Sequence, residues 1–198
     1  MDAAALAEPE ALLDAVLAAG IGVVQYRAKA GVDRALVRRL HRATRAAGAL
    51  LIVNDDLAAA QDADGLHVGQ EDLSRFDVRV LRSELRGKVL GVSCGDANEA
   101  RAAQDAGADY VGVGPFAATS AKADAGAPIG AEGIARVARA VAIPVVAIGG
   151  ISYGELAAVA GAGARFAAVI SALVRGGEYA ANARALVAEW RRVTGRRA

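Results

Sequence analysis

One unit repeats along this chain of 198 residues: an amphipathic helix, a glycine, a short apolar strand and a polar loop. The junctions between helix and strand are alike, reading AAGI at 18–21, AGADY at 106–110 and AGARF at 162–166. Strands that alternate with helices usually pair in parallel, because each helix returns the chain to the start of the next strand. The strands are apolar and lack long polar faces, which indicates helices covering the sheet. The repeat therefore predicts an α/β fold with one parallel sheet.

Two arrangements of this sheet are open, a doubly wound open sheet and a closed barrel. The dinucleotide-binding type of open sheet carries GxGxxG after its first strand, and this chain has no such motif after its strand at 21–26. We therefore favour a (β/α)8 TIM barrel that forms a single domain over residues 1–198.

The sequence contains about seven strand-like runs instead of eight. Only MDAAALAE precedes the helix that begins at Pro9, and this segment is too short and too rich in alanine to form a strand. We therefore expect a barrel that lacks its first strand in this chain. The later strand ends look intact, so we also expect that the natural polypeptide begins upstream of Met1.

Composition excludes several classes of function. With 23 basic and 22 acidic residues, the formal net charge of +1 gives no basic surface for nucleic acid. No apolar run approaches the ~20 residues that cross a bilayer, and the N-terminus has no basic segment typical of a signal peptide. We expect a cytoplasmic protein that acts on small molecules, without nucleic acid or membrane partners. A homo-oligomer is compatible with this composition.

Three reactive side chains have ordinary structural interpretations. The single cysteine, Cys94, fits a reducing compartment and packing at a strand end better than a role as nucleophile. His41 lies on a predicted helix and is expected at the surface. His67 shares a strand face with Gly65 and Gly69, so packing and ligand contact are both open for it.

Carboxylates follow two neighbouring apolar runs, at the points where both predicted strands end. Asp55 comes after Leu50–Val53, and Asp72 comes shortly after Gly65–Gly69. The carboxyl ends of parallel barrel strands meet at one face, so the two carboxylates can share a site. Two oxygen ligands beside a phosphate suit Mg2+, which keeps most of its waters. The alternative for Asp55 is that it caps the short helix beginning at Leu57.

The first predicted strand ends in an amide and two cations. With a period of two, Gln25, Arg27 and Lys29 share one face of the strand. Tyr26 and Ala28 take the other face. An amide and two cations that point inward require an anionic partner, which a phosphate or pyrophosphate supplies. The alternative is that both cations only form salt bridges with the carboxylates described above.

Neutral groups follow the later strands. Ser93 ends the strand that begins at Val89, and the loop at 115–122 carries hydroxyl groups followed by a cation. Gly149-Gly150 precedes a predicted helix, where backbone N–H groups can approach a phosphate, and Ile170-Ser171 ends the last strand. In barrels the last two strand–helix loops often form a phosphate site. A basic pair, a carboxylate pair and a separate neutral phosphate site together indicate two anionic substrates.

In this order and spacing, the motifs resemble those of the thiamine phosphate synthase family, also called thiamine-phosphate pyrophosphorylases. The similarity runs from Gly20 to Ser171. The matching segments are QYRAK at 25–29, ND at 54–55, GLHVGQED at 65–72, GVS at 91–93, DYVGVGP at 109–115, TSAK at 119–122 and AIGGI at 147–151. Each motif is weak alone, but the ordered set is specific.

The resemblance implies a barrel enzyme that joins hydroxymethylpyrimidine diphosphate to a thiazole phosphate. Pyrophosphate would depart first, and the thiazole nitrogen would capture the pyrimidine cation. By similarity, the residues that hold the pyrimidine diphosphate are Gln25, Tyr26, Arg27, Ala28, Lys29, Asn54, Ser93 and Lys122. Those that hold the thiazole phosphate are Thr119, Ser120, Ala121, Gly150, Ile170 and Ser171. Asp55 and Asp72 would bind Mg2+, and Arg27, Lys29 and Lys122 would be catalytic because they stabilise the leaving group.

One departure from the family pattern bears on function. The family usually has a second hydroxyl residue immediately before the loop lysine, where this chain has Ala121. A catalytically silent phosphate-binding barrel is therefore an alternative. A relative of the thiazole tautomerases is another, but those proteins lack the Asn–Asp metal pair present at Asn54-Asp55. A sugar-phosphate isomerase barrel would leave Arg27 and Lys29 without a clear role.

Overall fold

Seven strands form one parallel sheet in the order of the chain, in a computed structural model that describes residues 9–28, 31–69, 77–119 and 126–195. The strands are β1 (Val23–Tyr26), β2 (Leu50–Asn54), β3 (Gly65–Val68), β4 (Val89–Cys94), β5 (Tyr110–Val113), β6 (Val145–Ile148) and β7 (Phe166–Ala168). The helices are α1 (Pro9–Ala19), α2 (Arg34–Ala46), α3 (Leu57–Ala60), α4 (Val78–Glu84), α5 (Ala97–Asp105), α6 (Gly130–Ala140), α7 (Leu156–Gly161), α8 (Ser171–Val174) and α9 (Tyr179–Thr194). The predicted α/β alternation is confirmed.

Aspartate caps begin several of the helices that follow strands. Asp33 accepts hydrogen bonds from the backbone N–H groups of Ala35 (2.8 Å) and Leu36 (3.2 Å) at the start of α2. Asp96 caps α5 in the same way, by accepting from the backbone N–H groups of Asn98 and Glu99. Satisfying these N–H groups fixes where each helix begins, and hence how far each strand-to-helix loop extends beyond the sheet.

The sheet curls until its first and fifth strands face each other. The Gln25 side chain on β1 lies close to the Tyr110 hydroxyl on β5, although three strands separate β1 from β5 in the sheet. Only strong curvature brings such distant strands together. The described residues therefore form a TIM-like barrel of seven strands.

The hydrophobic core lies between the outer face of the sheet and the helices. Val24, Leu51, Leu66 and Val111 point outward from their strands and are at most 5% exposed. The last helix, α9, has a buried seam at Leu186 and Trp190 and contacts both α1 and α7. It therefore joins the helices that lie next to the two edge strands, β1 and β7.

The two edges of the sheet are more exposed than its middle. Across the described ranges the sheet pairings run from β1 to β7 with no eighth strand between them. On the inner face Val23 of β1 is 45% exposed and Leu50 of β2 is 40% exposed, whereas Ile52 is 1% exposed. β7 has no buried residue, whereas all four residues of β3 are buried. The seven strands counted in the sequence are confirmed, and among the described residues β1 and β7 do not pair.

None of the described helices is both long enough and apolar enough to span a membrane.

We expect two truncations on the inner face of β2 to differ in cost. Ile52→Ala should lower the free energy of unfolding by about 2–5 kcal/mol, because it leaves a cavity in a closed part of the interior. Leu50→Ala should lower it by less than about 1 kcal/mol, because that side chain already contacts water. Urea unfolding of both variants measures the difference. Equal losses of unfolding free energy in the two variants would show that the Leu50 side chain is buried in solution.

Candidate active site

Polar groups meet where β2 and β3 end. Asn54, the last residue of β2, is 9% exposed, and its side-chain amide donates to Oδ2 of Asp55. Oδ1 of Asp55 accepts a hydrogen bond of 2.9 Å from the backbone N–H of Gly69, just past β3. The Asp55 N–H donates to the carbonyl oxygen of His67 at 2.9 Å. These bonds fix the carboxylate at the carboxyl-terminal edge of the sheet.

Asp55 has a left-handed backbone conformation, with φ of 59°, which no other non-glycine residue in the described ranges shares. This region disfavours most residues with a Cβ, and strained residues of this kind cluster at functional sites. Asp56, not Asp55, caps α3, by accepting a hydrogen bond of 2.8 Å from the Ala59 N–H. The helix-capping role considered for Asp55 is therefore performed by Asp56.

The Asp55 carboxylate suits a hard cation. Each carboxylate oxygen has two lone pairs, so it can accept one hydrogen bond and still ligate a metal such as Mg2+. The predicted second ligand, Asp72, lies outside the described residues. Within those residues no three His, Cys, Asp or Glu side chains cluster as a metal site.

A chain of hydrogen bonds crosses the interior of the barrel. The Gln25 side chain approaches the Tyr110 hydroxyl, and that hydroxyl lies 2.9 Å from Nδ1 of His67. Nε2 of His67 lies 2.9 Å from Oγ of Ser93. Burial lowers the pKa of His67 to about 4, and burial also raises the pKa of Tyr110. Both rings are therefore neutral near pH 7. We call Gln25, Tyr110, His67 and Ser93 the interior network.

Glycines make room for the two rings. The strand register places His67, Gly91 and Tyr110 side by side on three neighbouring strands. A Cβ at Gly91 would lie 2.0 Å from Cζ of Tyr110, and a Cβ at Gly112 would lie 3.1 Å from Cε1 of His67. The rings stack with centroids 5.5 Å apart over the space that these glycines leave.

Sequence reasoning recovered the interior network in part. His67 faces the interior, where its ring stacks on Tyr110 in keeping with the packing possibility given for it, while Tyr110 was absent from the candidate residues. The sequence pattern that indicates an inward-facing Tyr110 is the alternation at 110–114, where Tyr110 shares a strand face with Gly112 and Gly114. His41 differs from expectation, since it is partly buried and its Nε2 lies 3.0 Å from Oδ1 of Asp64.

The loops after β5 and β6 are joined to each other. The N–H of Phe116 donates to the Ile148 carbonyl (2.8 Å), and the N–H of Ala117 donates to the Gly149 carbonyl (3.0 Å). Gly150 has φ of 66°, and a Cβ there would lie 2.5 Å from the Ala117 carbonyl oxygen. This close approach requires glycine and places the two loops beside each other at the carboxyl edge.

The remaining predicted site residues fall into three groups. Arg27 and Ala28 follow β1 directly and are half-buried, whereas the Tyr26 side chain lies in the core beneath the helices. Thr119, Ile170 and Ser171 lie beyond the ends of β5 and β7. Lys29, Asp72, Ser120, Ala121 and Lys122 lie outside the described residues.

Two other features are structural. Cys94 is 3% exposed, and burial raises the pKa of its thiol to about 12, in keeping with the packing interpretation. An open depression of about 570 Å³ lies at the opposite end of the sheet, beside the start of β4. Its Arg82 donates to Asp109 at 2.7 Å and to the carbonyl oxygen of Lys88 at 2.6 Å, so this cation holds the local backbone in place.

Comparison with known proteins gives a consistent result. Residues 2–173 match the family described as thiamine monophosphate synthase. A thiamine-phosphate synthase from Moorella thermoacetica is 48% identical over 180 residues, which cover 88% of this chain and 85% of that protein. The bifunctional thiamine biosynthesis protein ThiM/ThiE of Symbiobacterium thermophilum is 46% identical, over 96% of this chain but only 40% of that longer protein.

A solved structure agrees with the sequence comparisons. The thiamine phosphate pyrophosphorylase from Pyrococcus furiosus superposes with a TM-score of 0.83 at 30% identity, covering 94% of this chain and 91% of that one. The resemblance of the strand-end motifs is thereby confirmed, and the chain belongs to the thiamine monophosphate synthase family.

Proposed function

We propose that this chain is a transferase of thiamine biosynthesis that joins hydroxymethylpyrimidine diphosphate to thiazole phosphate and releases pyrophosphate. Membership of the family and 48% identity to a thiamine-phosphate synthase support the reaction. The structural observation that carries the proposal is Asp55. Its backbone has a left-handed conformation, and its carboxylate accepts a hydrogen bond from Gly69 at the carboxyl edge of the barrel.

The proposed roles follow from charge. Asp55 and Asp72 would hold one Mg2+, whose charge would stabilise the developing pyrophosphate anion. Arg27 follows β1 at the same edge, and Lys29 comes two residues later in the sequence; a guanidinium can contact two phosphate oxygens and an ammonium one. Lys122 would close on the leaving group from the loop after β5. The pyrimidine cation left behind would be captured by the thiazole nitrogen.

The thiazole phosphate would bind on the other side of the same edge. Thr119, Ser120 and Ala121 follow β5 in the sequence, and Gly150 follows β6. Hydrogen bonds from Phe116 and Ala117 join the segment after β5 to the segment after β6. Ile170 and Ser171 follow β7. Such a site binds a phosphate with backbone N–H groups and hydroxyls, without the cations that the diphosphate needs. The two anions would thereby be kept apart.

We also infer that the chain forms a single domain with the (β/α)8 barrel fold and lacks the first strand of that fold. The missing strand would lie between β1 and β7. The continuous contact of α9 with α1 supports this placement.

A coupled assay tests the proposed function. Hydroxymethylpyrimidine diphosphate and thiazole phosphate are supplied together, with and without Mg2+, and thiamine phosphate and pyrophosphate are measured. We expect thiamine phosphate and pyrophosphate to form in equal amounts, and only when Mg2+ is present. The competing candidate is a silent phosphate-binding barrel, favoured by Ala121 in place of a hydroxyl. Binding of thiazole phosphate without turnover would support that candidate and contradict ours.

Two neighbouring aspartates provide a matched test of the metal site. In Asp55→Asn the amide oxygen can still accept from Gly69, and asparagine tolerates the left-handed conformation. We therefore expect a change in unfolding free energy below about 1 kcal/mol, but a loss of kcat/KM of at least about 100-fold, because a metal ligand loses its charge. Asp56→Asn keeps its cap and should retain activity. Near-normal turnover of Asp55→Asn at low Mg2+ would contradict the assignment.

Lys122 provides a test of leaving-group stabilisation. Negative charge grows on the pyrophosphate in the transition state, so Lys122→Ala should lower kcat more than it raises the KM for the pyrimidine diphosphate. Steady-state kinetics with both substrates separate the two parameters. A raised KM with unchanged kcat would leave Lys122 a binding role only.

A further inference from the structure

We propose that Asn182 and Glu189 of α9 are positioning residues for the thiazole phosphate. Each of them holds one of two segments that carry predicted phosphate contacts, the segment after β6 with Gly150 and the segment after β7 with Ser171. The inference rests on the proposed function, because its ligand is the second substrate of that reaction. Asn182 and Glu189 act through these segments rather than on the reacting atoms.

Glu189 is a buried carboxylate that faces the segment after β6. It is 6% exposed, the lowest value for any Asp, Glu, Lys or Arg in the part of the chain that the structure describes. Arg192 donates to both of its oxygens, at 2.6 and 2.7 Å, and Oε2 also accepts a hydrogen bond of 3.1 Å from the Tyr153 hydroxyl. Burying a carboxylate is costly unless it is paired and hydrogen-bonded, and these two partners meet that requirement.

The bond to Tyr153 goes beyond what a role within α9 requires. Arg192 lies three residues after Glu189, so this ion pair forms within one helix. Tyr153 belongs to another element, 36 residues earlier in the chain, and comes three residues after Gly150. Its hydroxyl bond therefore ties the segment after β6 to α9.

The tie at Tyr153 reaches Gly150 through a short stretch with little freedom. The N–H of Ser152 donates to the Glu155 carboxylate at 2.8 Å, and the N–H of Glu155 donates to the Ser152 carbonyl at 3.2 Å. These bonds close the turn around Tyr153. Ile151, between this turn and Gly150, is 3% exposed and packs in the core. The position of the Tyr153 hydroxyl therefore affects where the Gly150 backbone lies.

Asn182 holds the segment after β7. Its side-chain nitrogen donates to the carbonyl oxygens of Leu173 at 3.0 Å and Arg175 at 2.8 Å. An amide nitrogen carries two protons, so each bond uses one of them and the amide has a single orientation. The Leu173 N–H in turn donates to the Ile170 carbonyl at 3.0 Å. The turn that begins at Ser171 is thereby fixed to α9 at its far end.

The two tethers lie on one side of α9. Asn182 and Glu189 are seven residues apart, about two helical turns, so their side chains project in nearly the same direction. α9 has 16 residues and contacts both α8 and the turn that contains Tyr153. One helix therefore sets the spacing between the segments after β6 and β7. A phosphate that is held from two sides binds tightly only when these sides are fixed relative to each other.

Tyr153→Phe tests the tie after β6. The Tyr153 side chain is exposed, so the variant removes one hydroxyl without opening a cavity. We expect the KM for thiazole phosphate to rise about 3- to 10-fold, the factor that corresponds to one hydrogen bond. The KM for the pyrimidine diphosphate should stay the same, because its predicted contacts come mainly from β1, β2 and β4.

Tyr179→Phe is the control for Tyr153→Phe. It removes a phenol hydroxyl at the start of α9 and should change neither KM. An unchanged KM for thiazole phosphate in Tyr153→Phe would overturn the proposal. Equal rises in both constants would overturn it as well, because they would indicate a general loss of structure.

Asn182→Ala tests the tie after β7. It removes both donors to the end of α8, and we expect the same selective rise in the KM for thiazole phosphate. Asn98→Ala is the control, since the Asn98 side chain bonds to Arg101 on its own helix, α5, at 3.0 Å. It should leave both constants unchanged. No rise in Asn182→Ala, or equal rises for the two substrates, would contradict the role of Asn182.

A double variant tests whether Tyr153 and Glu189 act through the same bond. Glu189→Ala removes the acceptor of the Tyr153 hydroxyl, so it should raise the KM for thiazole phosphate at least as much as Tyr153→Phe does. Adding Tyr153→Phe to Glu189→Ala should then have no further effect, because the bond is already lost. A rise equal to the product of the two single effects would overturn the coupling.

Hydrogen exchange tests the two ties without substrate. Mass spectrometry of deuterated peptides should show faster exchange at 149–155 in Tyr153→Phe, with 171–177 unchanged. Asn182→Ala should show the reverse pattern. Exchange that equals that of the unchanged chain in both segments would overturn the ties themselves.

Failure of this inference differs from failure of the proposed function. If thiazole phosphate binds but no thiamine phosphate forms, the proposed function fails, and calorimetric dissociation constants for thiazole phosphate compare the variants in place of KM. If turnover is normal and the constants of Tyr153→Phe and Asn182→Ala equal those of the unchanged chain, the function stands and the positioning role fails. Absence of both turnover and thiazole phosphate binding would overturn both.

Discussion

The side chains of Gln25 on β1 and Tyr110 on β5 approach each other only because the parallel sheet curls strongly. That curvature depends on glycines whose missing side chains would meet the neighbouring strand. A Cβ at Gly65 would lie 2.3 Å from the Val89 carbonyl oxygen, and one at Gly114 would lie 2.1 Å from the Ile148 carbonyl oxygen. Backbone atoms of a paired strand cannot move aside cheaply. These inward glycines therefore allow an interior narrow enough for two side chains to span it.

β3 connects this interior to the carboxyl edge through one residue. The carbonyl oxygen of His67 accepts the Asp55 N–H, while its ring holds Ser93 and Tyr110. Gly69, two residues further on, donates to the Asp55 carboxylate. The unfavourable conformation of Asp55 is thus offset by bonds from the same strand that carries the interior network. The Asp55 carboxylate and the Ser93 hydroxyl are positioned by one short element, which gives these two groups a fixed separation.

Sequence patterns predicted the features that depend on local spacing. The alternation of helix and strand and the count of seven strands are both confirmed. The choice between Asp55 and Asp56 as the cap of α3 could not be made from sequence, because either residue type caps a helix and only the backbone conformation of Asp55 decides. The contact between Gln25 and Tyr110 could not be predicted from sequence either, because it depends on sheet curvature that brings together residues 85 positions apart (110 − 25).

Burial sets the chemistry that the interior can perform. Cys94, with the pKa of its thiol raised to about 12, is protonated at neutral pH and is a poor nucleophile. Neutral His67 keeps one imidazole lone pair, which in the proposed mechanism is a competing nucleophile for the pyrimidine cation. Each ring nitrogen lies 2.9 Å from a hydroxyl group, that of Tyr110 or that of Ser93, so the lone pair accepts a hydrogen bond whichever nitrogen carries it. The interior network therefore keeps His67 from reacting. With no competing nucleophile at His67 or Cys94, charge and placement are left to direct the cation to the second substrate.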